Sequence, residues 1–195
     1  VGKSTLSRQK EIIDAAIEII VTKGLQELSI RNIAKIVGIK ESSIYSHFES
    51  KSEIIEKMLN LFQEDAELMW KEIYQTASNS IEELEGFFKK TCYGSINNQS
   101  SSYVLWFCSH QFKKEHFDQV KYIFEIHRNN LFKAIKEGQT QGLIKDEFNF
   151  EYISSLISGQ AYIFLFRNLC ALQYGEKDVD KIWEMLEILI KKGKS

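Results

Sequence analysis

At 195 residues the chain can bury a core in one or two small domains; proline is absent and glycine sparse. The net charge of −2 argues against a nucleic-acid binder taken whole, and three widely spaced cysteines (Cys92, Cys108, Cys170), an odd number, argue against a disulfide framework. No stretch alternates with the period of a strand, so an all-α fold of about nine helices is expected.

The start, Gly2-Lys3-Ser4-Thr5, has the wording of the end of a phosphate-binding loop, but the glycine five residues earlier and the preceding strand are missing. Residues 1–9 are therefore expected to be a frayed arm carrying the cations Lys3 and Arg8, with Lys10 just beyond it. A first helix then buries Ile13, Ala16, Ile17, Ile20 and Val21 and stops at Gly24. Ser29 caps a second helix whose inner face is Ile30, Ile33, Ala34 and Val37, at the i, i+3, i+4, i+7 spacing. Gly38 ends it, because glycine accepts the left-handed conformation at little cost.

The stretch from Ile39 to Phe48 reads as a third helix of seven or eight residues. Ile44 and Phe48 share its buried face, while Lys40, Ser42, Ser43, Ser46 and His47 lie on the other side. Serine is a poor helix former, but its short hydroxyl suits a backbone that approaches another surface closely. Two helices joined by a glycine turn are the helix-turn-helix pattern, and Ser50-Lys51-Ser52-Glu53 follows as a capping box for the next helix. The charge is divided accordingly: residues 1–52 carry a net +2 and residues 53–195 a net −4. A basic module on an acidic body fits a protein that meets DNA with one end.

Residues 10–55 resemble the DNA-binding domain of the TetR/AcrR family of bacterial transcriptional regulators. The resemblance rests on Ile12-Ile13-Asp14-Ala15-Ala16, Gly24-Leu25, Ser29-Ile30-Arg31-Asn32-Ile33-Ala34, Val37-Gly38-Ile39, Ile44-Tyr45-Ser46-His47-Phe48 and Lys51-Ser52-Glu53-Ile54. It implies that Tyr45 and Lys51 hold the DNA backbone, that Lys40, Ser42, Ser43 and Ser46 face the groove, and that His47 belongs to either set. Ser29 and Arg31 complete the expected DNA-facing residues. Lys40 and Glu41 stand where the family has a capping Ser or Thr and a variable residue, and Ser42 replaces a frequent Gly or Ala, so the operator sequence is not legible. The resemblance further implies that the fourth helix links a DNA-binding domain, residues 1–49, to a ligand-binding and dimerisation domain, residues 50–195.

In that second part, Asn79-Ser80 followed by Glu83 marks a capped start. A polar loop, 97–102, precedes a short aromatic helix, and a longer helix carries Val120, Ile123, Phe124, His127, Leu131 and Ile135 along one stripe. Trp70, Tyr103, Trp106, Phe107, Phe124, His127, Tyr162 and Phe166 are the candidate lining of a pocket for an apolar or aromatic effector, against the alternative of ordinary core packing. The last two helices are apolar on more than one side, so a partner subunit is the natural cover, against the alternative that both simply finish a monomer core. Leu156, Phe164, Trp183, Leu186, Leu189 and Ile190 are the candidate dimer contacts.

His110 and His116, six residues apart, fall on different faces of a helix, so no metal site is expected; nor is a cofactor. No nucleophile elbow or base–nucleophile motif is present, so an enzyme is not expected. The longest apolar run, 161–172, is too short to span a bilayer and there is no signal peptide, so the expected setting is the cytoplasm, without membrane contact. The expected function is a ligand-responsive repressor that binds double-stranded operator DNA as a homodimer. The alternative, kept open by Glu41, is a ligand carrier or interaction protein on a regulator fold that has lost specific DNA binding.

Overall fold

The computed structural model describes residues 5–96, 101–112, 114–169 and 175–193. Lys3, residues 97–100 of the polar loop and Cys170 lie outside them, as do the side chains of Tyr103 and Phe107. The described residues form nine α-helices: α1 (Thr5–Lys23), α2 (Ile30–Val37), α3 (Glu41–Tyr45), α4 (Lys51–Thr76), α5 (Ser80–Ile96), α6 (Ser101–Cys108), α7 (Lys114–Thr140), α8 (Phe150–Leu169) and α9 (Glu176–Ile190). Short 3-10 turns sit at Leu25–Glu27 and Ser109–Gln111. The fold is all-α, and no described helix is long and apolar enough to cross a membrane.

Packing divides the chain into two compact units, and the division differs from the expected cut after Glu49. The first holds residues 1–64 and 100–122, the second residues 65–99 and 123–195. The division falls inside α4 and α7, because α6 packs on α1 and the start of α7 is hydrogen-bonded to the first turn of α4.

In the first unit α1 is already helical at Thr5, so residues 5–9 are not the frayed arm expected, and Arg8 pairs with Glu11 at 2.7 Å. Its buried residues are Ile12, Ile13, Ala15, Ala16, Ile19 and Ile20, with Ile17 and Val21 only half-buried. The inner face is turned from the expected one because α1 is packed by both α2 and α6. The Ser29 side chain accepts from the Asn32 amide at 3.2 Å, as an N-cap should. Gly38 sits at φ +74°, and its N–H returns to the Ala34 carbonyl at 2.9 Å.

α3 has five residues rather than seven or eight. The amides of His47 and Phe48 both point back to the Ile44 carbonyl, at 2.9 and 3.0 Å, so the chain turns out of the helix after Tyr45. Ile44 and Phe48 are buried as expected. Ser50 Oγ accepts from the Glu53 amide at 3.1 Å, while the Glu53 carboxylate takes the Glu49 amide at 2.6 Å, one residue earlier than a regular capping box.

In the second unit α5 packs on α8 and α9 around Leu84, Phe87, Phe88, Ile157, Phe164 and Trp183. The cap of α5 is Asn79, whose Oδ1 accepts from the amides of Ile81 and Glu82 at 2.9 and 3.2 Å. The acidic partner is Glu82, which takes the Ser78 amide at 2.7 Å, and not Glu83. Glu83 turns inward instead, where burial and then Glu137 raise its pKa. Past α9 the chain pairs with the α7–α8 connection in an isolated antiparallel bridge, Ile144 to Lys191. The Lys145 amide donates to the Ile190 carbonyl and the Lys192 amide to the Leu143 carbonyl, both at 2.9 Å.

Candidate nucleic-acid interface

The first unit brings Arg31, Lys40 and Ser42 to one concave surface between α2 and α3, together with Asn32, Lys35 and Glu41. Ile44 and Phe48 anchor α3 to the unit's core, and this leaves Lys40, Ser42, Tyr45 and Ser46 exposed. Tyr45, next to the buried Ile44, is itself 56% exposed, which suits a phenol reaching outward. Ser43 is half-buried. The Ser46 hydroxyl donates to the Ser43 carbonyl at 2.7 Å and so trims the end of α3.

Two further expected DNA-facing residues are engaged as well. Ser29 serves as the α2 cap, and the half-buried Lys51 donates from Nζ to the Leu28 carbonyl at 3.0 Å. An ammonium has three donors, so two remain on Lys51. His47 is half-buried; among the described residues nothing bonds to its buried Nδ1, and its carbonyl accepts from Gln9 Nε2 at 3.3 Å. Sequence reasoning missed Asn32 and Lys35. Lys35 lies four residues after Arg31 on the same face of α2, a signal that was available.

Two of the candidate effector residues share a described hydrogen bond. Trp70 and His127 meet in the second unit: Trp70 Nε1 donates to His127 Nδ1 at 3.1 Å, and Trp70 stacks on Phe87 with centroids 5.4 Å apart. Burial pushes the His127 pKa down to about 4, so the ring is a neutral acceptor. Beside it Tyr74 donates to Asn130 Oδ1 at 2.6 Å, and burial followed by Glu83 and Glu137 pushes the phenol up to about 12. Tyr74 and Asn130 were not singled out in the sequence, although Asn130 follows His127 by one helical turn. Tyr162, in the same unit, is half-buried, Phe124 likewise, and Phe166 is 55% exposed. Trp106 is half-buried in the first unit.

The candidate dimer contacts require a correction. Phe164, Trp183, Leu186 and Ile190 are buried in the chain's own core and have no surface to offer a partner. Of the six, Leu189 is exposed and Leu156 half-buried. The outward apolar residues of α8 and α9 are Tyr152, Ile163, Phe166, Met185, Ile188 and Leu189. Helical spacing shows two apolar faces on each helix without telling which one the core takes.

Residues 12–58 match the family described as bacterial regulatory proteins, tetR family. The chain is 24% identical over 161 residues to the HTH-type transcriptional repressor KstR2 of Mycolicibacterium smegmatis, covering 80% of this chain and 77% of that one. The repressor of the same name from Mycobacterium tuberculosis aligns in sequence over about half of each chain, 51% and 50%, at 28% identity. The solved structure described as the ketosteroid transcriptional regulator KstR2 of Mycobacterium tuberculosis superposes with a TM-score of 0.82 at 17% identity, covering 95% of this chain and 96% of that one. The regulator FadR from Bacillus subtilis, solved in complex with stearoyl-CoA, superposes with a TM-score of 0.73 at 21% identity, covering 91% and 96%.

Proposed function

We propose that this chain, whose residues 12–58 belong to the tetR family of bacterial regulatory proteins, is a ligand-responsive transcriptional repressor that reads operator DNA as a dimer. The observation that carries this reading is the surface of α2 and α3. There Arg31, Lys40 and Ser42 share one concave face, and Ile44 and Phe48 fix α3 beneath them. Cations and short hydroxyls on a helix held from below are what entry into a major groove requires. Lys51 and Tyr45 contact phosphates and set the register, while Lys40, Ser42 and Ser46 meet base edges.

Two α3 helices of a dimer must lie about 34–36 Å apart to enter successive major grooves. An effector in the second unit alters that spacing only through its different affinity for the two arrangements, conveyed along α4 and α7, which carry residues of both units. The effector is a large apolar molecule. The stacked Trp70 and Phe87 and the neutral His127 support this, as do the ketosteroid and stearoyl-CoA in the descriptions of structural neighbours. The outward faces of α8 and α9 pair the two chains. A cytoplasmic setting follows from access to DNA.

Glu41, exposed at the start of α3, favours the alternative of a ligand carrier, because a carboxylate is repelled by phosphate; on DNA it would instead accept from a cytosine amino group. Titrating DNA from around the protein's own gene separates the two. Lys51→Ala should weaken binding and flatten its salt dependence by about one unit of slope, whereas Lys40→Ala should weaken binding and relax the sequence preference. Ser42→Ala should change preference among operator variants more than affinity. A wild-type chain that retains none of these fragments above its non-specific affinity would establish the carrier.

A further inference from the structure

The first turn of α4 is held from two directions by consecutive residues. Lys51 Nζ donates to the Leu28 carbonyl at 3.0 Å, beside the start of α2. Ser52 faces the start of α7: its Oγ donates to Glu115 Oε1 at 2.7 Å and lies 3.0 Å from His116 Nε2. His116 is 5% exposed, and a buried imidazole is retained where it is hydrogen-bonded.

A serine, a histidine and a glutamate in mutual contact invite comparison with a nucleophile activated by a base. The arrangement is the reverse of that. The single hydroxyl proton goes to the carboxylate, so Oγ accepts from Nε2–H, and Glu115 approaches this same nitrogen at 3.5 Å. Activation needs the hydroxyl to donate to the imidazole and the acid to sit on the other ring nitrogen. The trio is a clasp between two helix starts.

We propose that Glu115 and His116 are positioning residues for DNA binding: through Ser52 they fix the first turn of α4 and so place the Lys51 ammonium for its phosphate. This inference rests on the DNA-binding reading above. The two ties act on neighbouring positions, so loss of one lets the turn rotate about the other. A rotation of about 20° moves a group at the rim of a helix of about 6 Å radius by about 2 Å, enough to break a hydrogen bond. The carboxylate makes the Ser52 bond charge-assisted, which suits a contact that must hold while Lys51 exchanges partners.

The test compares Ser52→Ala, Glu115→Ala, their double variant and Ser52→Thr for operator affinity as a function of salt, with the unfolding midpoint measured alongside. Ser52→Ala and Glu115→Ala should each weaken operator binding about tenfold. Each should also flatten the salt slope by about one unit, the contribution of a single phosphate contact. The double variant should be no worse than either single one, because both remove the same bond. Ser52→Thr, which keeps the hydroxyl, should restore affinity and slope. Should Glu115→Ala not fold, Glu115→Leu, which keeps much of the bulk and offers Ser52 no acceptor, serves in its place. Folded variants with unchanged affinity and slope overturn the clasp alone, as does a loss that follows the unfolding midpoint with the slope intact. A wild-type chain that binds no operator overturns both readings.

Discussion

His127 accepts from Trp70 on Nδ1 in a buried setting, so charging the ring there is penalised by desolvation. Its folded pKa of about 4 lies below the ordinary imidazole value of 6.5, so between these limits the unfolded chain binds the proton that the folded chain refuses. Stability is therefore full above about pH 6.5 and is lost as the pH falls toward 4, by on the order of 3 kcal/mol for this residue. His127→Asn keeps an acceptor for Trp70 and cannot titrate in this range. Urea unfolding at pH 7 and pH 4.5 should show a smaller difference for that variant than for the wild type; equal differences would remove His127 as the cause. Glu83 behaves oppositely. Its raised pKa means that the ionised carboxylate is the destabilised form, so its share of stability is present in acid and lost as pH rises through the raised value. Glu83→Gln should raise the melting temperature at pH 7 by removing that charge, and the gain should shrink on acidification.

Several helix starts and turns were legible because their cause is local. Ser29, Gly38 and Ser50 each act within four residues of themselves, and all three behave as the sequence says. What stayed hidden depends on neighbours distant in the chain. α1 turns its face because α6 packs on it, and Glu83 turns inward to a setting shared with Glu137 of α7. The α2–α3 surface was largely readable, while the engagement of Lys51 by Leu28, 23 residues away, was not. Close helix approaches belong to the same hidden class. A Cβ on Gly138 of α7 would lie 2.5 Å from Ile144 Cδ1 and 3.2 Å from Ser80 Cβ. Alanine there is the better helix former by about 1 kcal/mol, but overpacking costs about 1–3 kcal/mol, so Gly138→Ala should be neutral to destabilising. On α8, Gly159 has nothing within 4 Å of such a Cβ. Gly159→Ala should therefore stabilise the isolated chain by up to about 1 kcal/mol, measured in urea at high dilution.

Tyr152, Leu156, Gly159, Ile163 and Phe166 recur at helical spacing along α8, and with Met185, Ile188 and Leu189 of α9 they supply the apolar surface that the proposed dimer buries. Ile163→Asp and Ile188→Asp should yield folded monomers by sedimentation at micromolar concentration. Phe164→Asp and Leu186→Asp should lose the fold itself, since a charge would replace a core side chain. A wild-type chain that sediments as a monomer would remove the dimer. One further contrast between the helices comes from the bridge after α9. A helix ordinarily frays at its C-terminus, and the amides there trade hydrogen for deuterium within the opening time of a few residues. Here the Ile190 carbonyl is taken by the Lys145 amide and the Lys192 amide is given to Leu143, so the last turn of α9 opens only when the α7–α8 connection opens with it. The Lys145 and Lys192 amides should therefore exchange together and slowly, as one cooperative unit, and a label placed beyond α9 would report on the interior of the second unit rather than on a loose end.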